Sequence, residues 1–236
     1  MEQLKYSLGP FELFSAIIGG TPLILAAFLF YNPVASVADL APIIQNSGSV
    51  AIAITLLFLS YIIGGTIQGL SWLYFIRLCK LFQKDYFYYG RLLRNRQQSL
   101  AHPNLEQQHF SEFEERMVLQ LQDKVGIPQK LDWMDNRLKA FLRERNSPSV
   151  AKAETLIASH IMYRNLSLGC LVLAMVSLIN SIRLRTLEPL LIVPLLGYTA
   201  YLMFLQSVSF KRWHNRTLIL GFYFVVTQES NDGASQ

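Results

Sequence analysis

Three groups of residues in this chain of 236 have types and spacings that can do chemistry. His102, Glu106 and His109 stand at i, i+4 and i+7, the spacing that brings metal-capable side chains to one helical face. His102 directly precedes Pro103, however, and so falls ahead of the helix. We therefore expect no metal centre there. The second group is two basic tracts, one with Arg91, Arg94 and Arg96, the other with Arg137, Lys139 and Arg143. Guanidinium groups hold carboxylates and phosphates through paired N–H donors, which makes these residues candidate contacts for an anionic ligand such as a nucleotide or a lipid headgroup. Their ordinary alternative is a solvated basic face.

The third group is polar side chains set into apolar runs. Ser60, Gly64, Gln68 and Ser71 recur at steps of four, four and three, one narrow polar stripe on a helix. Glu12, Ser15 and Gly19 recur at three and four, with Pro22 a turn beyond. Polar groups at membrane depth face a protein interior or a water-filled path, and a ring of Glu12 carboxylates in a symmetric oligomer would favour cations. These seven residues are the candidate pore-lining set. Hydrogen bonding between helices accounts for them equally simply.

Small residues frame the same stretches. SAIIGGT at 15–21 returns as SYIIGGT at 60–66, matching at six of seven positions. Between membrane helices there is no hydrophobic drive, so close backbone approach at small residues supplies the contact. Gly20, Gly65 and Gly69 are the expected packing glycines. Elsewhere the chain carries no glycine-rich phosphate loop, serine elbow or HExxH motif, and we expect neither an enzymatic activity nor a cofactor.

The elements that hold these residues follow from composition. Hydrophobic residues make up 52% of the chain and charged residues only 16%, against about a quarter charged in a soluble domain. Four windows approach or exceed the roughly 20 apolar residues a spanning helix needs: 11–31, 49–76, 163–182 and 189–210. The first run lacks a small-x-small cleavage site and should be retained. The fold class expected is an all-α integral membrane protein, four transmembrane helices with a helical cytoplasmic domain inserted between spans 2 and 3. Its divisions are an N-terminal hairpin (1–76), the cytoplasmic domain (77–162), a C-terminal hairpin (163–210) and a cytoplasmic tail (211–236).

Orientation follows from the basic residues, which accumulate on the cytoplasmic side. With both termini inside, nineteen Lys and Arg are cytoplasmic and two, Arg183 and Arg185, are outside. The net charge of +5 is then a product of topology and of contact with anionic lipid, with no call on nucleic acid. A bacterial inner membrane fits this layout. The sequons at Asn165 and Asn215 lie at or inside the cytoplasmic boundary and should stay unglycosylated. Cys79 and Cys170 have no zinc or CxxC spacing and should be reduced.

In the middle segment, the second span is expected to run on to about Arg96. A helix over 103–124 follows, with Phe110, Phe113, Met117 and Leu121 on one face. Another over 129–145 carries Leu131, Met134, Leu138, Phe141 and Leu142. Ser149 is the expected cap of a helix leading through His160 into the third span. About 85 residues make a thin core, so neighbouring copies of the chain are the expected cover for these stripes. Residues 217–226, too short to span, read as an interfacial helix or a strand. Function is expected to be that of a homo-oligomeric channel-like or membrane-disrupting effector, gated by a cytoplasmic ligand or partner, in a setting such as bacterial antiviral defence. The alternative is a non-enzymatic membrane anchor or scaffold that recruits a cytoplasmic partner.

Overall fold

A computed structural model describes residues 10–34, 50–87, 112–128 and 133–234, with the side chains of 10–12, 51, 112–115 and 230–234 excepted. Among the described residues all regular structure is helical, in seven helices: α1 (Pro10–Tyr31), α2 (Val50–Thr66), α3 (Gln68–Leu81), α4 (Glu112–Lys124), α5 (Met134–Glu144), α6 (Ser149–Leu184) and α7 (Glu188–Ala234). Three of them, α1, α6 and α7, are long and apolar enough to cross a membrane. A fourth crossing results if α2 and α3 count as one span bent by 54°. These lengths and compositions mark a membrane protein. At 1.5 Å per residue the 36 residues of α6 and the 47 of α7 exceed the roughly 30 Å of a hydrocarbon core, so both continue past it.

The break between α2 and α3 falls at Ile67. Gly64 and Gly65 precede it, and glycine is the weakest helix former after proline. At its far end α3 stops at Leu81, where Gln83 takes a left-handed φ of 51°. The Lys84 N–H then reaches the Cys79 carbonyl at 2.9 Å and the Gln83 N–H reaches Lys80 at 3.4 Å, the paired bonds of a Schellman ending. The second span therefore does not run on to about Arg96 as its apolar residues suggested, because local hydrogen bonding closes it some fifteen residues earlier. The same ending closes α5, with Asn146 at φ 52° and the Ser147 N–H on the Leu142 carbonyl at 3.0 Å.

The chain forms two compact units. The first takes Met1–Lys84 and Ala158–Ser209, the second Asp85–Ile157 and Phe210–Gln236. In the first, α1 and α2 cross where their backbones nearly touch. A Cβ on Gly20 would overlap the Ser60 carbonyl, and one on Gly64 would overlap the Ala16 carbonyl. Ala26, Leu173 and Val176 pack beyond this crossing. Phe75 lies against Phe204 and the His160 ring at centroid distances of 5.8 and 4.9 Å.

The second unit has a core of its own. Met117, Val118 and Leu121 of α4 meet Met134, Leu138 and Leu142 of α5, with Val150 and Ala153 from the start of α6. Leu218, Ile219, Phe222 and Val226 of α7 close it. Two expectations change here. Residues 217–226 are neither a strand nor a separate helix but an uninterrupted part of α7. The apolar stripes of α4 and α5, for which neighbouring subunits were the expected cover, are covered by this stretch of the same chain. Phe110, Phe113 and Leu131 lie outside the described residues or side chains.

Candidate functional site

The break in the second apolar run is held by side chains from α6. Asn165, fully buried, donates its Nδ2 to the Gly64 carbonyl at 3.2 Å. That oxygen is the one a continuous helix would offer to the Gln68 N–H, so an amide side chain caps the interrupted end. Arg164, its neighbour, is 6% exposed. It donates Nε to the Ser71 hydroxyl at 3.0 Å and Nη2 to the Gln68 carbonyl at 3.2 Å, in the first turn of α3. Ser71 in turn gives its proton to Asn165 Oδ1 at 2.6 Å, which fixes the amide's orientation. The resulting chain of bonds runs in one direction, from guanidinium to hydroxyl to amide to backbone. Each member polarises the next.

Further polar pairs tie α3, α6 and α7 within the first unit. Ser167 donates to the Ala200 carbonyl at 2.7 Å, which leaves its oxygen to accept from Tyr74 at 3.0 Å. His160 Nδ1 lies 3.0 Å from the Ser207 carbonyl and 2.9 Å from its hydroxyl. Trp72 stands edge-on to His160 and 5.4 Å below the Arg164 guanidinium.

The sequence-derived candidates divide around this site. Ser15, Ser60 and Ser71 are buried. Gly19 lies against Asn165, whose Cβ would sit 2.7 Å from an added methyl. Gly64 contributes its carbonyl and Gln68 is half-buried. Ser60, Gly64 and Ser71 of this stripe thus make hydrogen bonds or close contacts between helices of one chain. Gly20 packs against Ser60 and Gly64. Gly65 and Gly69, the expected packing glycines of α2 and α3, have no described atom within 4 Å of an added Cβ. The Glu12 side chain lies outside the description, as do His102, Glu106 and His109. Among the described residues no three His, Cys, Asp or Glu are placed to hold a metal ion.

The basic candidates are engaged within the second unit. Arg137 Nη1 donates to the Val125 and Gly126 carbonyls at 3.1 and 3.3 Å, closing the end of α4. Arg143 pairs with Glu154 at 2.5 Å. Lys139 is half-buried, and burial pushes its ammonium below the usual lysine range. Arg91, Arg94 and Arg96 lie outside the described residues. The site the sequence did not suggest here is Asp135. It accepts from Lys211 at 2.7 Å and from Asn215 at 2.5 Å, with His214 Nε2 at 3.6 Å. Burial alone would raise its carboxyl, but the His214 and Lys211 contacts outweigh that and lower it to about 2.

Arg164 and Asn165 were legible only as a boundary charge and a sequon. The available signal was an arginine just inside an apolar run, since an ionisable group there marks a functional position. No protein-family model, curated protein or solved structure matches the chain.

Proposed function

We propose that this chain is a non-enzymatic, channel-like membrane effector that works as a homo-oligomer, with the break at Ile67 as its moving part. On this reading there are four spans, both termini are cytoplasmic, and residues 77–162 form an inserted cytoplasmic domain. The carrying observation is the 54° bend whose two ends are held by Asn165 and Arg164. In a bilayer every exposed backbone group costs several kcal/mol, so an interrupted span is tolerated only where protein or a polar path covers the freed groups. Broken spans are also where transporters place their ion and substrate sites. Side-chain caps can be exchanged for other partners more readily than a continuous helical ladder, which suits a gate.

Two further points support the reading. The nineteen-to-two partition of basic residues fits the orientation. Gly65 and Gly69, left uncovered by the described residues, offer a close-approach face to a second copy. The alternative, an anchor for a cytoplasmic partner, draws on the self-contained core of the second unit.

Purified chain in planar bilayers tests the choice. Discrete conductance steps that change in size or open probability in Asn165→Leu support the gate. Membranes that remain sealed over a range of voltage, pH and protein density, together with a monomeric mass in nanodiscs, would overturn it.

A further inference from the structure

Arg164 has a charge that the described residues do not balance. Its side chain is almost wholly buried, yet the two acceptors it reaches, the Ser71 hydroxyl and the Gln68 carbonyl, are both neutral. No carboxylate among the described residues pairs with it, although pairs of that kind hold Arg143, Arg145 and Lys211 elsewhere in the chain. A guanidinium carries five N–H donors, and two are accounted for by these bonds. Taking a cation out of water costs several kcal/mol, which neutral partners offset only in part.

We propose that Arg164 is the core of an oxyanion site that takes a phosphate group. The donors left over after Ser71 and Gln68 form the planar fork that matches phosphate oxygens bidentately. Trp72 shields one side of the guanidinium, and Tyr74 stands two residues on along α3. Aromatic side chains of this kind collect at headgroup depth. Arg164 itself is one residue inside the apolar window that begins at 163, beside the expected cytoplasmic boundary. A phosphodiester headgroup and free inorganic phosphate present the same oxyanion, and the site is defined by that chemistry. Its occupancy would lock the Ser71–Asn165 chain and with it the bend, but the site stands whether or not the chain conducts.

The test uses the full chain in dodecyl maltoside micelles, which carry no phosphate, with and without added phosphatidylglycerol and with and without inorganic phosphate at constant ionic strength. Thermal unfolding is the readout. At about a hundredfold excess over the dissociation constant, a bound anion should raise Tm by about 5–10 °C. A rise with phosphatidylglycerol alone assigns the site to a headgroup, and a rise with phosphate alone assigns it to the free anion. Either rise should vanish in Arg164→Gln and persist in reduced form in Arg164→Lys, which keeps the charge and loses the fork. Native mass spectrometry of the unaltered chain serves if Arg164→Gln does not fold, since a retained phosphatidylglycerol adds a defined mass. The proposal is overturned if neither anion shifts Tm and no lipid is retained. It is equally overturned if Arg164→Gln responds like the unaltered chain, or if Glu12→Gln creates an anion response that the unaltered chain lacks, because Glu12 would then be the counter-ion.

Discussion

Gly20 and Gly64 meet so closely that a Cβ on Gly20 would lie 2.9 Å from the Gly64 nitrogen and overlap the Ser60 carbonyl as well. These are the second glycine of the first heptad copy and the first glycine of the second. The repeat is therefore used asymmetrically, one glycine from each copy at the crossing.

Gly20→Ala and Gly64→Ala should each destabilise the first unit by about 1–3 kcal/mol, because the new methyl meets backbone that cannot rotate away. Gly65→Ala, with no described atom within 4 Å of the new methyl, should be neutral or stabilise by about 0.5 kcal/mol through helix propensity. Thermal unfolding in one detergent separates the three. Gly65→Leu adds a second readout, the loss of oligomer mass with protomer stability retained.

Asn165→Leu leaves the Gly64 carbonyl without its side-chain donor, while the Ser71 hydroxyl keeps Arg164 and turns to the Gln68 carbonyl at 3.0 Å. A buried group stranded this way costs about 1–3 kcal/mol, and Ser71→Ala should cost less because Arg164 keeps its bond to Gln68. A double variant that costs much less than the sum of its parts would demonstrate that the two act through one bond network. Additive losses would refute the directed chain from Arg164 to Gly64.

Asp135 gives the second unit a dependence on acid. Its carboxyl is lowered from 3.8 to about 2 in the fold, so its contribution is present above the unfolded value and lost as pH falls from about 4 through about 2. The shift corresponds to roughly 2 kcal/mol. Melting of Asp135→Asn should show a smaller stability at neutral pH than the unaltered chain and a flatter decline over that acid window. Parallel declines for the two would mean that Asp135 is not the titrating group.

Phe222→Ala should cost about 3–5 kcal/mol, since the ring is fully buried in the second unit's core. Phe224→Ala, two residues on and 66% exposed, should change stability by less than about 0.5 kcal/mol. Limited proteolysis between 112 and 157 offers an independent readout, with faster cleavage expected only for Phe222→Ala.

Apolar length made the membrane helices legible, and period-3.6 patterning made α4 and α5 legible, because both signals are local. Ser149 and the break at Asn146-Ser-Pro148 located the start of α6 for the same reason. The end of α3 was missed, since Gln83 carries no glycine-like signal for its left-handed φ. The continuation of α7 through 217–226 was missed because β-branched and aromatic residues there resemble a strand until a buried face is known. The candidate site was half visible. Gly64, Gln68 and Ser71 stood out by spacing on one helix, whereas Arg164 and Asn165 act across almost a hundred residues of sequence, a relationship that no periodicity encodes.

The cap on Gly64 also sets an order of events in biogenesis. Asn165 lies 101 residues downstream of the carbonyl it satisfies, so at a synthesis rate of about 5–20 residues per second the cap is absent for roughly 5–20 s after Gly64 is made. If residues 49–76 cross the membrane as proposed, the nascent segment must satisfy its own backbone in lipid during that interval. On that reading the bend is a late acquisition that waits for α6 to arrive.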